Sequence, residues 1–343
     1  MPPLLHVEAT NHHVLQAGRD SRTDIAFSRT LSREAQEAAY HRRTHEKKSV
    51  VHWGQRKLLL AEIEFLTTFA AASGTVVYAG AAPGVHIAWL ATLFPGLRFL
   101  LYDSAPFCPA LQQAAAQPDS NVTLRGLFTD RTAASFRDAG VYFISDIRRG
   151  SYLEFDDVTV EQFVAADMAA QMRWHLEMRP AKSMLKFRLP WPEFAGSACS
   201  EYLDGDVYLP VWGPQTTTEA RLVPYGAQTV QWDNARYERQ MFYFNTVTRV
   251  ARYGHAMRVG APNHLDYCYD CAAEAAILQA YVRKTTGLSG APLARAADAL
   301  CAACSAACTT GRRTLRDVPR CRDRAAFDAA TGRTATCAGQ SPA

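Results

Sequence analysis

Hydrophobic residues along the chain form a pattern that predicts alternating strands and helices. Four short apolar runs read as buried strands, at residues 75–79, 98–102, 141–145 and 183–185. The segments between them carry apolar residues at helical spacing, as in the stretch from Leu58 to Phe69. Strands that alternate with helices are typical of an α/β fold, so we expect a mostly parallel central sheet flanked by helices.

Helix signals continue in the second half of the chain. Thr159 and Gln162 fit the capping box that often opens a helix. Residues 234–252 and 263–283 also have helical periodicity, and Asn263 is a suitable N-cap for the second of these segments.

The predicted strands are followed by residues that carry chemistry. A glycine-rich turn from Gly80 to Gly84 follows the first strand, and Asp103, Asp146 and Lys186 follow the next three. Ligands of parallel sheets bind outside the carboxyl ends of the strands. We therefore expect these residues to line one crevice.

The glycine turn differs from the G-x-G-x-x-G fingerprint of dinucleotide-binding proteins. Pro83 has no N–H group, so this turn offers a phosphate one donor fewer. S-adenosylmethionine is a nucleotide-like ligand without a phosphate and suits such a turn. Asp103 is placed to accept hydrogen bonds from both ribose hydroxyls of this ligand. The alternative is a tight connection that binds nothing.

Lys186 is the sharper chemical signal. Strand alternation places it on the same face as Met184 and Arg188. A lysine near the end of a central strand is costly unless a carboxylate pairs with it, and Asp146 and Glu219 are candidates. The arrangement could be a buried ion pair and nothing more. If burial and a second cation lower its pKa, Lys186 could instead take a proton from an alcohol.

Composition narrows the class of protein. The chain has 343 residues, 48% of them apolar, which is enough for a sizeable core. Glycine and proline interrupt each long apolar stretch, and the nine cysteines are spread as in a reducing compartment. We therefore expect a cytoplasmic protein without a membrane segment.

Three regions of the chain differ in character. Residues 1–50 are polar and read as an N-terminal arm, residues 51–286 carry the strand and helix pattern of one catalytic domain, and residues 287–343 are rich in Ala, Arg and Cys. We predict that this last region is a disordered tail. Its eight arginines and four aspartates account for the whole formal net charge of +4, so nucleic acid would be attracted to the rest of the chain by local clusters.

Several motifs together resemble a known family. They are GQRKLLL at 54–60, VYAGAAPGVHI at 77–87, ISDIR at 144–148 and MLKFR at 184–188. In order and spacing they are similar to the poxvirus-type cap-specific mRNA 2′-O-methyltransferases, which also serve as the small, regulatory subunit of the poly(A) polymerase. The resemblance covers about residues 51–285 and implies a Rossmann-like, S-adenosylmethionine-dependent methyltransferase.

The resemblance also implies roles for individual residues. A catalytic tetrad would consist of Lys57, Asp146, Lys186 and Glu219. Lys186 would deprotonate the ribose 2′-hydroxyl of the first transcribed nucleotide, which converts cap 0 to cap 1. The residues implied to hold S-adenosylmethionine are Gln55, Tyr78, Gly80, Gly84, His86, Asp103, Ile147 and Arg148.

A binding site for the N7-methylated cap is implied as well. A cationic guanine is recognised by aromatic faces and by a carboxylate at its N–H edge. The residues that match the family in this role, or lie next to them, are Tyr40, Arg188, Trp191, Glu193 and Glu238. The implied partners are capped mRNA and a poly(A) polymerase catalytic subunit. The alternative function is a non-catalytic RNA-binding or processivity subunit of that polymerase.

The cysteines allow two interpretations. Cys268 and Cys271 lie on a predicted helix and read as core residues. Cys301, Cys304, Cys308 and Cys321 have the ligand type for zinc, but no second spaced pair and no histidine follows them. We therefore predict no metal site.

Overall fold

One mixed sheet forms the centre of the protein. The computed structural model describes residues 25–40, 54–150, 154–194, 196–213, 217–251, 253–255 and 268–307. The strands are β1 (Gly74–Ala79), β2 (Leu97–Tyr102), β3 (Val122–Arg125), β4 (Tyr142–Ser145), β5 (Lys182–Phe187), β6 (Cys199–Tyr208) and β7 (Ala220–Asp233). Within the described residues they form a seven-stranded sheet in the order β3-β2-β1-β4-β5-β7-β6.

Helices connect and flank these strands. They are α1 (Gly54–Phe69), α2 (Ile87–Leu93), α3 (Pro109–Ala115), α4 (Asp130–Ser135), α5 (Asp157–Met178), α6 (Asn234–Thr246), α7 (Tyr269–Thr286) and α8 (Gly290–Ala307). Among the helices that the structure describes, none is long and apolar enough to cross a bilayer.

The parallel half of the sheet confirms the predicted architecture. β1 pairs in parallel with β2 and with β4, β2 pairs with β3, and β4 pairs with β5. Val76, Val77 and Phe143 are completely buried, because helices cover both faces of the central strands. The carboxyl ends of β1, β2 and β4 therefore open at one edge, as expected for a Rossmann-like fold.

The other half of the sheet is antiparallel and was not predicted. β7 pairs antiparallel with β5 on one side and with β6 on the other. The outer part of β7, from Tyr225 onward, is largely exposed, so it lacks the continuous apolar run that marks a buried strand. This pairing places Arg221 directly opposite Lys186.

Residues 25–40 of the N-terminal region lie along the open edge of β6. The N–H of Leu31 donates to the carbonyl of Val207, and the N–H of Leu209 donates to the carbonyl of Arg29, each at 2.8 Å. The guanidinium of Arg29 is also paired with Glu64 of α1 at 2.8 Å. These contacts fasten the segment to the domain.

Two helix starts and one helix end differ from the prediction. Asp156 caps α5 by accepting from the N–H of Thr159, so Thr159 lies inside the helix and is not its cap. The helix predicted over residues 234–252 is shorter, since α6 ends at Thr246. α7 begins at Tyr269 with Cys268 at its N-cap position, and the predicted cap Asn263 lies outside the described residues.

The prediction of a disordered tail is wrong for residues 290–307, which form α8. Leu293, Ala297, Cys301, Ala302 and Cys304 are buried, and the helix packs against α7 and α1. The alanine content misled the prediction, because small side chains bury little area each but let a helix approach closely. Cys268 and Cys271 are buried, as predicted for core residues.

Candidate active site

The predicted tetrad comes together at the carboxyl end of the parallel strands. The ammonium Nζ of Lys57 in α1 lies 2.6 Å from Oε1 of Glu219, which directly precedes β7. Nζ of Lys186 in β5 lies 3.1 Å from Oδ1 of Asp146, the residue after β4, and 3.7 Å from Oε2 of Glu219. Two amines and two carboxylates thus alternate around one small, half-buried space.

Arg221 completes this cluster and was missed in the sequence. Its Nη2 donates to Oδ1 of Asp146 at 2.7 Å, and its Nη1 donates to Oε1 of Glu219 at 3.1 Å. The pattern Glu-x-Arg on one face of a strand was the available signal, and it could be read only once β7 was recognised. Arg148 adds a further contact to Oε2 of Glu219 at 3.0 Å.

The cluster holds more cations than carboxylates. Lys57, Lys186, Arg221 and Arg148 surround Asp146 and Glu219. Burial acts to raise the pKa of Glu219, but Lys186, Lys57, Arg221 and Arg148 outweigh it and hold that pKa well below its usual value. Burial lowers the pKa of Lys57; Glu219 opposes this effect, whereas Arg221 and Lys186 add to it. Glu219 is therefore ionised near neutral pH.

The glycine turn after β1 has the geometry expected where a ligand closely approaches the protein backbone. Gly80 and Gly84 have φ angles of +80° and +66°, which side-chain-bearing residues rarely adopt. A Cβ atom on Gly80 would lie 2.7 Å from the backbone nitrogen of Ile147, and one on Gly84 would lie 2.5 Å from Leu111. The site therefore requires glycine at both positions.

Three of the four N–H groups of this turn, those of Gly80, Ala81 and Ala82, donate within the protein. Those of Gly80 and Ala81 donate to the carbonyl of Tyr102 at 2.9 and 3.3 Å. The N–H of Ala82 donates to Oδ2 of Asp103 at 2.9 Å, and Pro83 has none. The turn therefore has little to offer a phosphate, which fits a ligand without one.

Asp103 is held at the mouth of the crevice by backbone donors. Besides Ala82 at one oxygen, the N–H of Ala105 donates to the other oxygen, Oδ1, at 2.8 Å. Each carboxylate oxygen has two acceptor sites, so each has one left for a ribose hydroxyl.

Tyr78 and His86 both turn toward a buried carboxylate. The hydroxyl of Tyr78 donates to Oε1 of Glu62 at 2.8 Å, and Nε2 of His86 lies 2.8 Å from Oε2 of the same residue. Glu62 is completely buried on α1. It was missed in the sequence, although a carboxylate within the apolar stripe of α1 was a usable signal. The two side chains are therefore held by one carboxylate and are themselves buried.

Ile147 and Gln55 are the two remaining residues predicted to hold the cofactor. Ile147 follows Asp146 and is half-buried next to Gly80. Gln55 lies in the first turn of α1, and its side chain falls outside what the structure describes.

The two aromatic residues predicted for the cap are in contact with each other. The ring centroids of Tyr40 and Trp191 are 4.8 Å apart with planes tilted by 53°. A third ring between them would need roughly 7 Å, twice the ~3.5 Å contact distance. The structure thus brings the rings together, but as a closed pair that must separate to admit a base.

Arg188 lies beneath the indole and not at the surface. It is buried, paired with Glu161 of α5 at 2.5 Å, and its guanidinium carbon is 5.2 Å from the Trp191 ring centroid. Glu161 also accepts from the backbone N–H of Trp191 at 2.9 Å. This geometry fits a residue that positions the indole, whereas the predicted direct contact of Arg188 with RNA would require it to leave Glu161.

Two acidic residues lie close together beside this aromatic pair. Burial, then the neighbouring charge of Glu193, raises the pKa of Glu238 to about 7. Glu193 is exposed and Glu238 is half-buried. The structure therefore brings both predicted carboxylates to one place.

The cysteines form no metal-binding cluster in the part of the chain that the structure describes, since no three or more His, Cys, Asp or Glu residues are grouped there as metal ligands. Cys301 and Cys304 are buried on α8, and burial raises the pKa of Cys301 well above its usual value. Cys308 and Cys321 lie outside the described residues, so the sequence prediction of no metal site stays a prediction.

The fold and the crevice define a Rossmann-like α/β protein in which a glycine-rich turn lies beside a cluster of charged groups. Residues 26–281 match the sequence profile of the poly A polymerase regulatory subunit family, and the chain belongs to this family.

Curated relatives come from poxviruses. The chain is 27% identical over 226 residues to the cap-specific mRNA (nucleoside-2'-O-)-methyltransferase of Myxoma virus (strain Lausanne), covering 59% of this chain and 63% of that protein. It is 30% identical over 219 residues to the protein of the same name from Fowlpox virus (strain NVSL), covering 57% of this chain and 68% of that protein. The match thus spans slightly less than two thirds of the Myxoma virus protein.

Proposed function

We propose that this chain is an S-adenosylmethionine-dependent methyltransferase that modifies the ribose 2′-hydroxyl of the first transcribed nucleotide of capped mRNA, converting cap 0 to cap 1. The observation that carries the proposal is the meeting of Lys57, Asp146, Lys186 and Glu219 beside the glycine turn. A subunit that only bound RNA would need no such cluster of opposed charges. The names of the poxvirus relatives support the same reaction.

In the proposed mechanism Lys186 accepts the proton of the 2′-hydroxyl. The cations of Lys57 and Arg148 contact Glu219, and Arg221 contacts Asp146, in the same crevice. Glu219 and Asp146 orient Lys186 from two sides. When bound, S-adenosylmethionine supplies an electrophilic methyl group, and alignment of the ribose oxygen contributes much of the rate increase.

We assign the cofactor crevice to the residues around the turn. Gly80 and Gly84 allow close approach, and Asp103 has an acceptor site free on each oxygen for ribose. Ile147 and Arg148 form the opposite wall, and Gln55 at the start of α1 remains part of the proposed set. Tyr78 and His86 are part of the proposed set and are held in position by Glu62.

We assign cap recognition to the surface of Tyr40, Trp191, Glu193 and Glu238. Cation–π stacking on the indole and pairing with a carboxylate suit an N7-methylated guanine. Arg188 holds Trp191 in place. Binding requires Tyr40 to move away from Trp191, since the two rings are now in contact.

A second candidate function is RNA binding as a processivity subunit of a poly(A) polymerase. The family description favours this candidate, and the two functions are compatible in one chain. The partners we propose are therefore capped mRNA and a poly(A) polymerase catalytic subunit, and the site of action is the cytoplasm of an infected cell.

Methyl transfer from labelled S-adenosylmethionine to short RNAs tests the proposal. We expect label in the 2′-O-methyl group of the first nucleotide of N7-methyl-capped RNA and little in uncapped RNA of the same sequence. If the protein binds both RNAs but transfers methyl groups to neither, the non-catalytic RNA-binding function is better supported than methyl transfer.

A further inference from the structure

We propose that Trp212 is a positioning residue for catalysis, which fixes the Lys57–Glu219 pair through two branches of buried hydrogen bonds. The inference rests on the proposed function. Neither the tetrad nor the cap surface includes Trp212, which lies after β6 and seven positions before Glu219.

The backbone of Trp212 is in an unfavourable conformation. The residue is 1% exposed and has a φ angle of +59°. A bulky residue in the left-handed region of backbone conformations is strained and persists only where its surroundings hold it. Two carboxylates of α7 do so: the backbone N–H donates to Oδ1 of Asp270 at 2.9 Å, and the indole Nε1 donates to Oε2 of Glu274 at 2.7 Å.

The first branch runs from Glu274 to Lys57. Arg56 donates from Nε to Oε2 of Glu274 at 3.0 Å and from Nη2 to the other oxygen. Arg56 and Glu274 are both completely buried. Because Arg56 is the residue before Lys57 on α1, this ion pair fixes the position of that turn of the helix.

The second branch runs from Asp270 to the segment before Glu219. Asp270 accepts from Nη2 of Arg249 at 2.7 Å, and Nη1 of Arg249 donates to Oδ1 of Asn245 at 2.9 Å. Asn245 donates from Nδ2 to the carbonyl of Thr217 at 2.8 Å. The hydroxyl of Thr217 in turn accepts from the N–H of Glu219 at 3.1 Å.

The two branches therefore end at the two partners of one contact, the 2.6 Å pair of Lys57 and Glu219. Trp212 is the residue at which they join. A buried ion pair tolerates little displacement, because moving one partner leaves the other charge uncompensated. Loss of the indole N–H should consequently displace Lys57 without removing any group from the crevice.

Trp212→Phe tests the inference, because it keeps an aromatic ring and removes the donor to Glu274. We expect kcat for methyl transfer to fall about tenfold or more, since small misplacements of catalytic groups can cost up to ~100-fold. KM for S-adenosylmethionine should change less than twofold. The pH profile of kcat should also shift, because displacing Lys57 changes the burial and the contact with Glu219 on which the pKa of Lys57 depends.

Trp174→Phe is the matched control. Trp174 is buried on α5 and donates its indole N–H to Asp130 of α4 at 2.6 Å, and neither helix carries a tetrad residue. We expect this variant to keep kcat and the pH profile. Asn245→Asp, which keeps the acceptor for Arg249 and loses the donor to Thr217, should reproduce the kcat effect from the second branch.

Melting temperature and calorimetric binding of S-adenosylmethionine, measured on all variants, show whether each is folded. Folded Trp212→Phe protein with wild-type kcat and pH profile overturns the positioning role. An equal loss in Trp174→Phe also overturns it, since the effect is then general destabilisation. A folded wild-type chain without methyl transfer overturns the proposed function itself and the positioning role with it, so the two failures are distinguishable.

Discussion

At the scale of single residues, Lys57 and Lys186 lie in the same crevice, and substituting each in turn tests which of them is the base. Lys186→Met should reduce methyl transfer to below a tenth of the wild-type rate, because it removes the base that faces both Asp146 and Glu219. Binding of S-adenosylmethionine, measured by calorimetry, should stay nearly unchanged. Lys57→Met is the comparison, because burial lowers the pKa of Lys57. If Lys57→Met abolishes methyl transfer while Lys186→Met keeps more than a tenth of the wild-type rate, then Lys57 is the base.

Asp103 offers a test of the cofactor crevice at the same scale. Asp103→Ala should weaken S-adenosylmethionine binding by ~1.5–3 kcal/mol, the range for hydrogen bonds to a charged group. Isothermal titration measures this change, and Asp119→Ala, at an exposed position, is the control. Unchanged affinity in Asp103→Ala would mean that the ribose is bound elsewhere.

Trp191 is the residue on which methyl-cap preference should depend most. Stacking of a cation on a desolvated indole contributes ~2 kcal/mol, so Trp191→Ala should lose about tenfold or more in affinity for the methylated cap. Turnover at saturating RNA should fall less. Fluorescence titration with methylated and unmethylated cap analogues checks this, and equal discrimination by mutant and wild type would contradict the assignment.

The sequence predicted some residues of the site better than others. Asp103, Asp146 and Lys186 were predictable because they lie at, or directly after, the carboxyl ends of strands, where functional residues are expected. Arg221 was not, because its strand is half exposed and was not recognised. Glu62 and Glu161 were missed because they act through other side chains, which no spacing along the chain reveals.

At the scale of secondary structure elements, α8 gives the clearest prediction. Deleting residues 290–343 should lower the melting temperature by roughly 4 °C or more, because losing the burial of a leucine alone costs ~1.5–3 kcal/mol. Leu293 is buried, and Cys301 contacts Arg56 on α1. Deleting only residues 308–343 is the control and should have the smaller effect. Equal melting temperatures of both truncated proteins would show that α8 adds no stability.

The same elements show why the fold was only partly predictable. The end of β1 and the whole of β4 are short apolar runs buried on both faces, and such runs are recognisable without any tertiary information. β6 and β7 contain Gly205 and Pro224, and half of β7 is solvated. They become strands by pairing with β5 and with each other, which is a tertiary effect that the local pattern does not contain.

Glu238 on the proposed cap surface should make the stability of the whole molecule depend on pH near neutrality. Its pKa is raised from 4.5 to about 7, so between these values the folded protein holds a proton that the unfolded chain has released. The free energy of unfolding contributed by this group therefore decreases as pH rises through that window. We expect the melting temperature of the wild type, relative to Glu238→Gln, to fall from about pH 5 to about pH 8.

Glu193→Gln provides the control for this dependence. Burial is the larger cause of the raised pKa and the charge of Glu193 the next, so this variant should shift the window to lower pH without abolishing it. Cap binding should respond in the opposite sense to stability, because a cationic guanine pairs with the ionised carboxylate: affinity for the methylated cap should rise with pH across the same window. Glu238→Gln should flatten both curves. A wild-type protein whose stability and cap affinity are both independent of pH in this range would contradict the placement of Glu238 in a half-buried acidic pair.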